Sequence, residues 1–270
     1  MQDKRVSAVH DEDLKAIGMT NRRNSLFERL YFQCQENNWD WAYDMLTHQG
    51  RMHQDISSFP NKYFYDGQLK SLPPQYQAGM WQEAPLKLHP AQGANDLEKR
   101  LASERFIFIP SQVDETNTST KTNVHEAQII GQLVDSYAQL YRENGLEFTA
   151  ATLGVITPYR AQISQIRSVL EGYEDDYDKI SVDTVERYQG GARDIILISL
   201  CLNVHFQLEG LVSLSDDGKV DRKLNVALTR ARKHLVVIGN QQILEMHPIY
   251  RNLIRFIGEM QKQPFSTTER

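Results

Sequence analysis

The chain has 270 residues, 40% apolar and 24% charged, with a formal net charge of −5. That length suits one large domain or two small ones with a core of ordinary size. The charge excludes the uniformly basic field of a small nucleic-acid-binding module, while leaving room for a local basic face.

Residues 1–20 lack a clear period and read as a leader. NSLFERLYFQCQ places Phe27, Leu30, Tyr31 and Cys34 near one helical face, with Asn24 as the cap. HQGRMHQDISSFPNKYFYDGQLKSLPP reads as a turn-rich stretch whose aromatics Phe59, Phe64 and Tyr65 are expected to be buried. Residues 71–104, broken by Pro73, Pro74, Pro85 and Pro90, read as irregular. RFIFIP is a strand and DETNTSTKT a polar loop. NVHEAQIIGQLVDSYAQLYREN opens on Asn-x-x-Glu, the spacing of a capping box. Its apolar positions Ala127, Ile130, Leu133, Tyr137 and Leu140 recur at helical spacing. TLGVITP, an apolar run stopped by Pro158, reads as a strand buried on both faces. TPYR then opens an amphipathic helix with proline in its first turn, and YRAQISQIRSVLEG ends in a glycine stop. KISVDTV, RDIILISLCL and HLVVIG are three more buried strands. DRKLNVALTRAR is a helix before the last of them, and HPIYRNLIRFIGEM a C-terminal helix.

Strands alternating with helices predict an α/β fold: a mainly parallel sheet between two helical layers. Ligands of such sheets sit beyond the carboxyl ends of the strands. That directs attention to TPYRAQ, DTVERYQGGARD and GNQ, each of which follows a strand. Gly190 and Gly191 permit positive φ and close backbone approach; on the glycines alone a plain turn is the favoured reading. Arg230 and Arg232 sit between apolar flanks, where a planar donor fork is expected to meet a specific anion; a solvated helix face is the alternative.

Several signals are absent from the sequence. There is no G-x-x-x-x-G-K-[ST] phosphate loop, the Gly-Lys pair of DDGKVD being followed by valine and out of frame. VDET at 113–116 imitates a magnesium-holding Asp-Glu pair, but Pro110, Ser111 and Gln112 separate it from its strand, and it reads as a decoy. The eight histidines form no metal set, and no G-x-S-x-G elbow occurs. Cys34 and Cys201 stand far apart, which fits a reducing compartment. No apolar run approaches the ~20 residues that span a bilayer. The polar opening MQDKRVSAVHDEDLKAIG is no secretion signal, so the expected location is the cytoplasm.

QGRMHQDISSFPNKYFYDGQL, GVITPYRAQ, SVDTVERYQGGARDIILISL and LNVALTRARKHLVVIGN, in that order, resemble motifs of the second RecA-like domain of superfamily 1B helicases, the up-frameshift-like branch. SLFERL resembles the segment that follows that family's first motor domain. The resemblance implies a three-layer RecA-like domain over 21–262, an inter-domain leader over 1–20 and a tail over 263–270. It implies a catalytic arginine finger at Arg230 and a second γ-phosphate contact at Arg51. It implies nucleotide contacts at Gln49, Gln189 and Gly190, and strand contacts at Pro158, Tyr159 and Thr184. Arg160 is added as a phosphate contact on its charge alone. ATP and Mg²⁺ would be held mainly by an N-terminal RecA-like domain absent from this chain. The other partner would be single-stranded nucleic acid, DNA ahead of RNA, with 5′→3′ movement and no membrane. Two positions depart from the pattern. Gly50 stands where the family has an adenine-stacking tyrosine, and Ala192 where it has a glutamate. A non-catalytic binding module is the rival reading.

Overall fold

Five parallel strands in the order β3-β7-β6-β4-β5 organise the larger part of the chain. They are β3 (Phe106–Pro110), β4 (Leu153–Ile156), β5 (Ser181–Asp183), β6 (Arg193–Ser199) and β7 (Ala231–Gly239). The computed structural model describes residues 8–19, 25–73, 76, 86, 88–116, 121–173, 177–188, 191–215 and 218–262. The chain divides into two units, residues 1–47 and 48–270.

In the first unit, α1 (Glu12–Ala16) is capped by Asp11, and α2 (Leu26–Glu36) by Ser25 with Glu28 in a reciprocal capping box. The Asn24 cap expected from the sequence lies outside the described residues; Ser25 does that work. The expected apolar face is largely open: Phe27 and Leu30 are 74% and 55% exposed, while Tyr31 and Cys34 are half-buried. The Arg29 guanidinium donates to the Ile17 carbonyl, tying the two helices.

The second unit opens with β1 (His48–Gln49), α3 (Gln54–Phe64) and β2 (Lys70–Ser71), β1 and β2 pairing in parallel. Then come α4 (Asp96–Ser103), α5 (Val124–Glu143), α6 (Arg160–Leu170), α7 (Gln207–Leu211), α8 (Arg222–Leu228), α9 (Gln241–Leu244) and α10 (Pro248–Lys262). Side chains alternate across the strands, and here both faces are apolar. Phe106, Phe108, Ile196, Ile198, Leu235 and Val237 pack in one core with α3, α8 and α10. Ile107, Leu153, Val155, Ile195, Leu197 and Val236 pack in the other with α4, α5 and α6. This is the three-layer parallel sheet expected from the alternating pattern, in the RecA-like form that the resemblance implies. Among the described residues, none before Met52 joins either core.

Three local expectations need correction. The supposedly turn-rich 54–64 is a helix, with Phe59 fully buried and Phe64 and Tyr65 half-buried. Pro60 lies inside it, at the cost of the bond to Ile56, which hid the helical pattern. Within the irregular 71–104, α4 forms under an Asn95–Glu98 capping box. The helix predicted through Arg232 ends at Leu228, capped by Thr229, so Ala231 and Arg232 already belong to β7.

The link from β5 to β6 crosses the face of the sheet. Tyr188 is buried over β4, and its hydroxyl bonds both the hydroxyl and the carbonyl of Ser181. It fits because β4 has Gly154 beneath it: a Cβ there would stand 2.9 Å from Tyr188 Cζ and 3.1 Å from Arg193 Cγ. A glycine in a strand interior ordinarily weakens it, but here any side chain displaces a ring. Gly154→Ala is expected to cost about 1–3 kcal/mol through overpacking, measured by urea denaturation. The loss should be smaller when the same change is made in a Tyr188→Ala background.

Candidate functional site

In a parallel sheet all amino ends share one edge and all carboxyl ends the other. The sequence-predicted site residues sort onto both. β6 spans seven residues, so at roughly 3.3 Å per residue the edges lie ~20 Å apart.

Arg51, Arg230 and Gln49 gather at the amino edge. Arg230 occupies the turn between α8 and β7. Its Nε donates to the Val226 carbonyl at 3.0 Å, Nη1 to the Gly191 carbonyl at 3.3 Å and Nη2 to the Thr229 hydroxyl at 3.4 Å. Arg51 Nη1 donates to the Thr229 carbonyl at 3.0 Å. The loop carrying Arg51 is closed by Gln49, whose Oε1 accepts from the backbone N–H groups of Arg51 and Met52, and whose Nε2 donates to the Met52 carbonyl. The next residue is fixed to the sheet by the His53 N–H, which donates to the Arg232 carbonyl at 2.8 Å. The amide of Gln49, expected on the nucleotide, thus shapes the loop that presents Arg51.

The two TRAR arginines differ in their surroundings. β7 carries one residue more than β6 between the pairs Arg193↔Ala231 and Ile195↔His234, and such a bulge re-aims side chains. Arg232 and Lys233 on the bulge both reach Asp194, at 3.4 and 2.8 Å. Arg51 and Arg230, by contrast, bond only carbonyl and hydroxyl oxygens among the described residues. Burial first, and the charge of Arg51 second, lower the Arg230 pKa from its ordinary value. Two half-buried guanidiniums that repel each other make a place where an anion is stabilised. At Gly50, a Cβ would lie 2.6 Å from Leu72 Cδ1, so no aromatic ring fits there unless Leu72 moves. Gln189 and Gly190 lie outside the described residues.

The stretch DTVERYQGGARD does not remain beyond the carboxyl ends as expected. It starts there at Thr184 and returns to the amino edge, where the Arg193 N–H donates to the Arg230 carbonyl. Pro158, Tyr159, Arg160 and Thr184 do belong to the carboxyl edge. Tyr159 is the N-cap residue of α6, so Pro158 precedes the helix and Arg160, exposed, is its first residue. Pro158 and Tyr159 line a groove of about 270 Å³ with Val185, Leu224, Tyr250 and Lys223. Lys121 Nζ stands 5.1 Å from the Tyr159 ring centroid, within cation–π range. A ring, a proline and flanking cations suit a stacked base with adjacent phosphate.

Beneath this edge lies a residue the sequence reading misassigned. Asn123 caps α5 as its spacing predicts, but the Glu126 side chain does not return the bond. It turns inward, fully buried, and accepts from the hydroxyls of Ser111 and Ser199 at 2.9 and 2.6 Å and from the Cys201 N–H at 2.9 Å. One carboxyl group thus fastens the ends of β3 and β6 to α5. The VDET decoy is also structural: the buried Asp114 accepts from Thr116 and from the Val124 N–H. Among the described residues, no group of three or more His, Cys, Asp or Glu is placed to hold a metal. Nor is any helix there long and apolar enough to cross a membrane.

A sequence family described as an AAA domain matches residues 22–242. The chain is 29% identical over 245 residues to helicase sen1 of Schizosaccharomyces pombe, covering 89% of this chain and 13% of that protein. It is 29% identical over 236 residues to regulator of nonsense transcripts 1 of Dictyostelium discoideum, covering 85% and 16%. It is 27% identical over 245 residues to an uncharacterised ATP-dependent helicase of Methanocaldococcus jannaschii, covering 89% and 32%. The chain belongs to this AAA-domain family, as a C-terminal RecA-like domain of the superfamily 1B helicases. It spans about a third or less of the length of these relatives.

Burial raises Glu126 to about 7, against the pull of its three hydrogen bonds. A carboxyl group whose folded pKa is raised favours the fold while it is protonated, and that contribution is lost as pH climbs from the unfolded value near 4.5. Folding stability is therefore expected to carry a one-proton fall, about 1.4 kcal/mol per pH unit at its steepest, between pH 4.5 and 7. Chemical denaturation across that range should show this component in the wild type and not in Glu126→Gln.

Proposed function

We propose that this domain is the C-terminal half of an ATP-driven helicase motor, which completes an ATP site from across a cleft and grips single-stranded nucleic acid. Arg230 acts as the arginine finger and Arg51 as a second donor to the γ-phosphate of ATP. The nucleotide and its Mg²⁺ are held by a P-loop-bearing RecA-like domain of the same parent protein. Gln189 and Gly190 add nucleotide contacts from this side, with Gln49 setting the Arg51 loop. The observation that carries this reading is the pair of guanidiniums at one edge that meet no carboxylate among the described residues, beside an arginine that does have its own carboxylate.

Charge spread over a transferring phosphoryl group is stabilised by such donors, on the order of 10³–10⁵ in rate. ATP binding closes the cleft because those bonds exist only in the closed state, and hydrolysis releases them. Pro158, Tyr159, Arg160 and Thr184 hold the strand at the opposite edge. Their contacts, by stacking and to phosphate, are shared by DNA and RNA. Gly50 and Ala192 favour a second reading, a non-catalytic binding module; retained Arg51 and Arg230 favour the motor.

In the parent protein, Arg230→Ala is expected to lower ATP turnover by about 10³ or more while ATP binding stays within a few-fold. Normal turnover with lost strand binding would overturn the assignment. The isolated 270-residue chain should show no turnover. Tyr159→Ala should weaken single-strand binding by about 1–3 kcal/mol in anisotropy titrations.

A further inference from the structure

The rim of the carboxyl-edge groove holds an anion of the protein's own. Glu186, in the loop after β5, places its Oε1 2.8 Å from Lys223 Nζ on α8. Burial works against the charge, yet the Lys223 ammonium helps to hold Glu186 below the usual carboxylate range. An ammonium set against an oxyanion is also how a nucleic-acid phosphate is held. Both Lys223 and Glu186 line the groove that Pro158 and Tyr159 form, and Thr184 is the expected phosphate contact next to it.

We propose that Lys223 is a phosphate-binding residue for the nucleic-acid strand and that the Glu186 carboxylate is its resident competitor, occupying the position a backbone phosphate takes on binding. The inference rests on the nucleic-acid reading of this edge. Side-chain exposures of 49% for Lys223 and 57% for Glu186 make the internal pair weak, since exposed ion pairs contribute little. A phosphate displaces it readily. The vacated carboxylate swings to solvent, and Lys223 exchanges one oxyanion for another. The device lowers affinity for any strand without abolishing it, and it keeps an unoccupied groove from presenting a bare cation.

The test is anisotropy titration of labelled oligothymidine and oligouridine, over a salt series, with the full chain. Glu186→Gln should tighten binding of both oligomers roughly two- to five-fold, the span an exposed ion pair permits. Lys223→Met should weaken binding and shrink the slope of log affinity against log salt by about 0.7. In a Lys223→Met background, Glu186→Gln should lose its effect, which separates competition for Lys223 from a change in net charge. Glu171→Gln, an exposed carboxylate at the far end of α6, is the charge control and should change nothing. The competitor role is overturned if Glu186→Gln leaves affinity unchanged while Tyr159→Ala still weakens it, or if its gain persists without Lys223. If the wild type binds neither oligomer, or Tyr159→Ala has no effect, the nucleic-acid reading of this edge fails and the inference with it. Unchanged thermal melting of the Glu186→Gln chain excludes misfolding as the cause.

Discussion

Parallel pairing is the constraint from which the rest follows. Strands that all run one way give every loop one of two addresses, and the backbone bonds of β6 with β3's neighbour β7 and with β4 hold those addresses apart. Both faces of the sheet are apolar and covered, so polar chemistry is confined to the rims. A domain of this kind has two working edges. The guanidinium pair takes one and the groove beneath Tyr159 and Tyr250 takes the other.

At each edge the electrostatic logic is different. At the amino edge Arg51 and Arg230 touch, among the described residues, carbonyls and a hydroxyl but no carboxylate, and the charge of Arg51 makes that of Arg230 costlier. The carboxyl edge is balanced on its surface by Glu186 and anchored below by Glu126, a carboxyl group so deeply buried that its protonated form is favoured to about neutral pH.

Much of this was legible in the sequence, for physical reasons. Apolar runs such as LGVI and HLVVI can be strands only where both faces are covered, and the sheet follows from them. α5 and α6 carry unbroken helical periods. α3 was hidden because Pro60 and two serines suppress the local pattern, while burial of Ile56 and Phe59 stabilises the helix from outside the segment. α4 is missed: the prolines before it make the stretch read as irregular, and the Asn95–Glu98 capping box that starts it is passed over. Motif order named candidate residues, but not the edge of the sheet on which each stands. Which of Arg230 and Arg232 lacks a carboxylate depends on Asp194, on another strand, and on a bulge that no local pattern reveals. Glu126 shows the same limit: its spacing fits a cap, and only the fold shows which way the side chain turns.

The crossing of Tyr188 over Gly154 ties the two rims into one mechanical object. Only eight residues of chain separate Thr184, at the carboxyl rim, from Arg193, whose N–H is bonded to the carbonyl of Arg230. The middle of that span is pinned by a buried ring seated in the notch a missing side chain leaves. The fulcrum of that span is a phenol in a glycine socket.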